Sequence, residues 1–170
     1  MDAIRFERRC SIVKINTVIF DVDGVFTDGS FFYTEDGKVA KRFGPHDADG
    51  IKLLQASGLS VSCITADHRG LGITRARCDD MRLPVILVRE LERLGWFAKL
   101  PDLLHTCFMG DGRYDAQIFD RVAYAIAPAN ALDITKDKAS FVTSSRGGDG
   151  AVYEACIHIL ELIRSSCENQ

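Results

Sequence analysis

The sequence has no excess of basic charge, no long hydrophobic run and no closely spaced cysteine pair. Its 21 Lys and Arg residues against 24 Asp and Glu residues give a net charge of −3, which lacks the basic field of a nucleic-acid-binding protein. No apolar stretch approaches the roughly 20 residues of a membrane-spanning helix, and the N-terminal MDAIRFERRC carries charges where a signal peptide has its apolar segment. We therefore expect a cytoplasmic protein that binds neither nucleic acid nor membranes.

The six cysteines lack the two-residue spacing of zinc knuckles and thioredoxin-type motifs. Most of them lie in apolar runs. This pattern predicts reduced thiols in the core of a protein from a reducing compartment, rather than metal ligands or a redox pair. The cysteines are Cys10, Cys63, Cys78, Cys107, Cys156 and Cys167.

Strand-like and helix-like segments alternate along the chain. With 170 residues, 46% of them apolar, the chain can bury a core, and its length favours a single domain over 1–170. Because alternating strands and helices build a parallel sheet covered on both faces, we predict an α/β fold with a Rossmann-like, doubly wound and mostly parallel sheet. The strand-like runs are INTVIFDVD, LSVSCITAD, LPVILV, HTCFMGD, VAYAIAP and SFVTSS, and the helix-like segments include DGIKLLQASG, ELERLGWFAKL and GAVYEACIHILELI.

The segment GSFFYTEDGKVAKRF interrupts this alternation. Its aromatic and β-branched residues flank the pair Asp36-Gly37, which is typical of a two-residue hairpin turn. We predict a β-hairpin over 29–43, directly after the first strand. An exposed aromatic hairpin on a small domain favours an interface, and we interpret the aromatic run 31–33 in this way.

Carboxylates and glycines follow three of the predicted strands. The first strand ends in DVDG (21–24), the second in TAD (65–67) and the fourth in GDGRYD (110–115). In an open parallel sheet, ligands bind outside the carboxyl ends of the strands. We therefore expect these side chains to meet at one edge of the sheet.

Several carboxylates at one edge call for a cation, because they repel one another unless a positive charge compensates them. Oxygen ligands without histidine or thiolate favour Mg²⁺, which also accepts the phosphate oxygens of a substrate. We predict Asp21 and Asp111 as direct ligands and the main-chain carbonyl of Asp23 as a third.

The same residues can hydrolyse a phosphate ester. Asp21 can attack the phosphorus in line and form an aspartyl phosphate. Asp23 can protonate the leaving alkoxide and then deprotonate the attacking water. Thr65 and the amide of Ala66, at an expected helix N-terminus with residues 68–69 in its first turn, would bind the phosphate.

The motifs DVDGV, ITAD and GDGRYD, with Thr65 lying 44 residues after Asp21 and 46 before Asp111, resemble those of the haloacid dehalogenase superfamily of phosphatases. The segments DVDGVFTDG, DGKVAKRF, HDADGIKLLQASG and GGDGAVYEACIHIL are similar to its small capless branch, whose members act on phosphates of eight- or nine-carbon keto-sugar acids. The resemblance covers about residues 14–164, nearly the whole chain.

The resemblance implies a Mg²⁺-dependent phosphatase of a small phosphorylated sugar or keto-sugar acid. It also implies a homotetramer in which neighbouring hairpins help to close each active site. By the family pattern, Asp21, Asp23 and Asp111 bind the metal, Thr65 binds the phosphate, and Asp115 lies behind the metal ligands.

Three positions depart from the family pattern. Where the family has a lysine that neutralises the nucleophile and the phosphate, this chain has Arg93, with Lys99 as the alternative; arginine keeps the charge but changes its geometry. The Gly-Arg pair that follows the threonine is replaced by Ala66-Asp67, and the late GGRGA reads GGDGA, with Asp149 in place of a cation. These last two changes remove positive charge from the expected substrate region.

Other interpretations of these residues remain open. Thr65 also suits a helix N-cap, Asp115 an exposed helix start, and Arg93 a solvated pair with a neighbouring glutamate. The missing lysine favours a non-catalytic oligomerisation or regulatory module, related to domains associated with cytidylyltransferases. A phospho-accepting response regulator shares the acidic edge but would not need Asp23.

Overall fold

The computed structural model describes residues 14–168. Within this range, eight strands are arranged as a six-stranded parallel sheet and a separate two-stranded antiparallel hairpin. The strands are β1 (Thr17–Asp21), β2 (Thr27–Thr34), β3 (Gly37–Phe43), β4 (Ser60–Thr65), β5 (Val85–Leu87), β6 (Thr106–Met109), β7 (Tyr124–Ala127) and β8 (Phe141–Val142). The large sheet has the order β5-β4-β1-β6-β7-β8, and β2 and β3 form the hairpin. The predicted Rossmann-like α/β fold with a hairpin after the first strand is confirmed.

Helices connect these strands. Over the same residues they are α1 (Asp47–Ala56), α2 (Leu71–Asp80), α3 (Arg93–Phe97), α4 (Ala116–Phe119), α5 (Asp133–Lys136) and α6 (Ala151–Glu168), with 3-10 turns at Glu90–Glu92 and Leu103–His105. In the part of the chain that the structure describes, no helix combines the length and apolar character needed to cross a membrane.

Strand β1 lies in the middle of the sheet because its residues are apolar on both faces. It pairs with β4 on one side and with β6 on the other. Phe20 packs into the core cluster that contains residues of α1 and α6, while Ile19 packs into the opposite cluster with Phe97 and Phe108. The two cores therefore fix β1 from both faces, and with it the position of Asp21 at its carboxyl end.

The turn of the hairpin lies one residue earlier than Asp36-Gly37. Thr34 pairs with Gly37, so the loop consists of Glu35 and Asp36. Gly37 has a φ of 116°, whereas the described non-glycine residues with positive φ do not include either loop residue. The left-handed backbone of the glycine is thus used at the start of β3 rather than inside the loop. The aromatic run 31–33 is 45–56% exposed, as the hairpin pattern predicted.

The prediction of a helix start directly after Thr65 is wrong. Helix α2 begins at Leu71, so residues 68–69 lie in a loop and Thr65 is not the N-cap of that helix. The Asp67 backbone N–H donates to the Thr65 hydroxyl at 3.1 Å, and the Gly70 N–H donates to Asp67 Oδ1 at 3.0 Å. These local side-chain contacts hold a turn in place of the first helical turn.

The described cysteines behave as core residues. Cys63, Cys78, Cys107 and Cys156 are buried, free thiols, which confirms the predicted core position of these four. Cys10 and the side chain of Cys167 lie outside the described residues.

Asp47, in the first turn of α1, is a buried carboxylate whose ionisation affects stability. It is 1% exposed and its Oδ2 has no hydrogen-bond partner. Burial raises its pKa to about 7 from 3.8, although the charge of Arg77 opposes the rise. The folded protein therefore binds more protons than the unfolded chain between about pH 4 and about pH 7, and stability is lost as the pH rises through this range.

We expect Asp47→Asn to raise the midpoint of thermal unfolding by a few degrees at about pH 8 and to leave it nearly unchanged at about pH 4. The control is Asp49→Asn, which changes an exposed carboxylate in the same helical turn. Equal shifts for both variants, or a shift at Asp47 that does not depend on pH, would contradict the assignment.

Candidate active site

The carboxyl ends of β1 and β6 are adjacent, and they bring two aspartates together. Phe20 pairs with Met109, so Asp21 at the end of β1 faces the loop that contains Asp111. Carboxylate oxygens of Asp21, Asp111 and Asp115 all lie within 4.8 Å of one another. Three of the carboxylates predicted at the strand ends therefore lie together, and Asp115 is one of them.

Asp115 is 1% exposed, so the interpretation as an exposed helix start is wrong. Its Oδ2 accepts a hydrogen bond of 2.9 Å from the Gly112 backbone N–H. This contact closes the GDGRYD loop onto the carboxylate and holds it beside the other two.

Arg93 lies between the carboxylates. Its Nη2 donates to Asp21 Oδ1 at 2.7 Å, and its Nη1 donates to Asp115 Oδ1. Arg93 and Phe97 share one face of α3 because they are four residues apart. Since Phe97 packs in the core beneath the sheet, the same face carries Arg93, which is 5% exposed, to the site.

These contacts decide between the alternatives for the missing lysine. Arg93 is not a solvated partner of a glutamate, and Lys99 lies exposed on the surface. The planar guanidinium bridges two carboxylates at once, which a single ammonium does less well.

One guanidinium among three carboxylates leaves negative charge uncompensated. Burial raises the pKa of Asp21 well above its usual range, which Arg93 opposes and the neighbouring carboxylates reinforce. Burial also raises the pKa of Asp111 to about 7, with the charge of Asp115 adding to the rise. A buried set of oxygen donors with excess negative charge fits a hard divalent cation such as Mg²⁺.

Gly24 makes room for Asp111. A Cβ atom at this position would lie 1.9 Å from Asp111 Oδ2, and the φ of the glycine is 83°. Any other residue would therefore be strained and would displace the carboxylate. The glycine of the DVDG motif is thus required by the close approach of two loops.

Asp23 is held apart from the carboxylate cluster. Its Oδ2 accepts a hydrogen bond of 3.1 Å from the Thr65 hydroxyl, and its Oδ1 lies 2.7 Å from Lys41 Nζ. Its side chain is 22% exposed, so it can reach a ligand at the surface. Lys41 was not predicted at this site, because a lysine on a hairpin strand is normally solvated.

Asp67 and Asp149, the two aspartates that depart from the family pattern, each pair with a cation of the hairpin. Asp67 pairs with Lys38 and, at 2.9 Å, with Lys41. Asp149 accepts a hydrogen bond of 2.5 Å from Arg42 Nη2. Both carboxylates therefore pair with the hairpin, Asp67 at a largely buried position and Asp149 at an exposed one.

A parallel α/β sheet with this acidic edge places the protein among the phosphatases of the haloacid dehalogenase superfamily. No protein-family model matches the sequence. The 3-deoxy-D-manno-octulosonate 8-phosphate phosphatase of Yersinia pestis is 30% identical over 152 residues, which cover 86% of this chain and 80% of that protein. The chain belongs to the family of 3-deoxy-D-manno-octulosonate 8-phosphate phosphatases.

Two solved structures extend the similarity. The cobalt-bound deoxy-D-mannose-octulosonate 8-phosphate phosphatase of Haemophilus influenzae has a TM-score of 0.78 at 29% identity, covering 91% of this chain and 92% of that one. The Moraxella catarrhalis 3-deoxy-D-manno-octulosonate 8-phosphate phosphatase, in complex with magnesium, phosphate and KDO, has a TM-score of 0.78 at 25% identity, covering 99% and 96%. Nearly the whole chain therefore shares the fold of these enzymes.

We expect Arg93→Met to lower the free energy of unfolding by about 3–5 kcal/mol at neutral pH, because it leaves two buried carboxylates without a cation. Urea denaturation in the presence of a chelator measures this loss without compensation by metal. Lys99→Met is the control, and its effect should stay within about 0.5 kcal/mol. A similar loss in both variants would mean that the bridge does not stabilise the fold.

Proposed function

We propose that the protein is a Mg²⁺-dependent phosphomonoesterase that hydrolyses a small phosphorylated keto-sugar acid through an aspartyl-phosphate intermediate. The observation that carries the proposal is the placement of Asp21. This carboxylate ends a buried central strand, at the edge of the sheet where ligands bind, and Arg93 fixes its orientation. A carboxylate held in this way is suited to attack on phosphorus.

Asp21, Asp111 and the main-chain carbonyl of Asp23 would hold the cation. The oxygens of Asp115 accept hydrogen bonds from Arg93 and from the Gly112 amide, which suits this residue to supporting the metal ligands. The cation supplies charge neutralisation and orientation to the phosphate. Magnesium in the Moraxella relative and cobalt in the Haemophilus relative support a divalent metal, and the oxygen donors favour Mg²⁺.

The side chains have separate roles in the reaction. Asp21 attacks the phosphorus while the ester oxygen leaves and takes a proton from Asp23. Asp23 then removes a proton from water, which attacks the phosphorus of the aspartyl phosphate and releases inorganic phosphate. The Thr65 hydroxyl, the Ala66 amide and Arg93 would bind the phosphate oxygens.

The relatives, which are named as octulosonate 8-phosphate phosphatases, support a phosphorylated eight-carbon keto-sugar acid as the substrate. The exposed aromatic run 31–33 of the hairpin supports a homotetramer in which hairpins complete neighbouring sites, and the free buried thiols support a cytoplasmic location. The absence of the family lysine does not favour a non-catalytic module, because Arg93 supplies a cation in contact with Asp21.

Phosphate release from a panel of sugar, sugar-acid and nucleotide monophosphates tests this function. We expect release from one class of sugar-acid phosphates that requires Mg²⁺, and a fall of at least about a thousandfold in Asp21→Asn, because this variant lacks the nucleophile. Asp80→Asn, an exposed change at the end of α2, should retain full activity. Activity that persists in Asp21→Asn would refute the mechanism.

Thermal unfolding with and without Mg²⁺ tests the metal site independently of activity. At one hundred times its Kd, a ligand stabilises the folded state by about 2.7 kcal/mol, so Mg²⁺ should raise the unfolding midpoint of the wild type. In Asp111→Asn the Mg²⁺-dependent rise should disappear, while stability without metal is preserved because a buried charge is removed. The control is Asp133→Asn, whose side chain is exposed on α5. An unchanged response to Mg²⁺ in Asp111→Asn would exclude this residue as a ligand.

A further inference from the structure

Lys41 is buried although it belongs to a hairpin whose other strand is largely exposed. Its side chain is 0% exposed, whereas most residues of β2 and β3 face solvent. Its Nζ lies 2.7 Å from Asp23 Oδ1 and 2.9 Å from Asp67 Oδ2, and it donates a hydrogen bond of 3.0 Å to Thr74 Oγ1. The ammonium thus lies within 3.0 Å of two carboxylate oxygens and one hydroxyl.

We propose that Lys41 is a positioning residue that holds the Asp23 carboxyl group toward the leaving oxygen of the substrate. The inference rests on the proposed function, in which Asp23 gives and takes the protons. It assigns a catalytic purpose to a hairpin contact that would otherwise serve only to attach the hairpin.

The cost of burying an ammonium supports a purpose beyond attachment. Removing a charged group from water costs several kcal/mol, and ion pairs repay this only with good geometry. Apolar residues of similar volume can attach one element to another at least as well. An ammonium placed against Asp23 instead defines the direction of one particular carboxylate.

The two oxygens of Asp23 are held by different elements. Oδ2 accepts a hydrogen bond from Thr65 on β4, while Lys41 on β3 contacts Oδ1. Oδ1 is buried, and within residues 14–168 no directed hydrogen bond reaches it. The ion pair with Lys41 is therefore what compensates this oxygen.

When substrate binds, Lys41 becomes the main contact that holds the Asp23 carboxyl group. A threonine hydroxyl donates a single hydrogen bond, so when Thr65 donates to a phosphate oxygen it no longer holds Asp23 Oδ2. Of the two contacts, the ion pair to Oδ1 then remains, and Oδ2 is free to carry the proton. As the bond from phosphorus to the ester oxygen breaks and the bond to Asp21 forms, this proton passes from Oδ2 to the leaving oxygen.

The test compares two leaving groups. An alkyl phosphate releases a basic alkoxide that needs a proton, whereas p-nitrophenyl phosphate releases a stable phenolate that does not. We expect Lys41→Met to lower kcat/KM for the sugar-acid phosphate about a hundredfold, the lower range for a misplaced general acid, and to leave kcat/KM for p-nitrophenyl phosphate nearly unchanged. Lys41→Arg should restore part of the loss because it keeps the charge.

Two controls separate the possible failures. Lys38→Met removes the second hairpin ammonium that pairs with Asp67. It should not lower kcat/KM for one of the two substrates more than for the other. Asp23→Asn should show the same selective loss as Lys41→Met. If Asp23→Asn shows no selective loss, the proposed role of Asp23 fails. If Asp23→Asn is selective and Lys41→Met lowers both rates equally, only the inference about Lys41 is overturned.

A variant that disturbs the hairpin less repeats the test if Lys41→Met does not fold. Thr74→Val keeps the side-chain shape but removes the hydroxyl that accepts the hydrogen bond from Lys41. We expect a smaller loss that is again confined to the alkyl phosphate. Equal effects on the two substrates would overturn the positioning role.

Discussion

Two buried carboxylates and a half-buried one at the end of a parallel sheet repel one another, and the rest of the site depends on how this repulsion is compensated. Arg93 bridges Asp21 and Asp115 and removes part of it. Its placement follows from the packing of Phe97, because both residues lie on the same face of α3. The remaining negative charge suits the site to the proposed divalent cation and, through that cation, to a phosphate.

The hairpin supplies a second set of charges. Lys38 and Lys41 pair with Asp67, and Arg42 pairs with Asp149. The hairpin thus pairs with both acidic residues that distinguish this chain from the family pattern, at a largely buried position for Asp67 and at the surface for Asp149. Because Lys41 also contacts Asp23, the position of the hairpin and the direction of the proposed general acid are linked.

The sequence was sufficient to predict the sheet, the hairpin and the meeting of Asp21, Asp111 and Asp115 at its edge, because apolar strands and the residues that end them are local patterns. It could not predict the burial of the Lys38 and Lys41 side chains, since lysines on a hairpin strand are normally solvated. Nothing in GKVAKRF indicates which of the two contacts Asp23; that contact arises when Lys41 packs against Thr74. The late start of α2 could not be predicted either. The turn formed by the hydrogen bond from the Gly70 N–H to Asp67 competes with the first turn of a helix that buries few residues. For Arg93, the sequence indicated the position, and only packing could exclude a solvated role.

The most direct measurement is to locate the phosphoryl group during turnover. The Asp23→Asn variant is mixed with p-nitrophenyl phosphate and Mg²⁺, quenched in acid, and mapped by peptide mass spectrometry. The first step proceeds with this leaving group while hydrolysis of the intermediate lacks its base, so the phosphorylated enzyme should accumulate. The account predicts one phosphoryl group on Asp21. Release of p-nitrophenol with no phosphorylated peptide, or with the phosphoryl group on another residue, would contradict it.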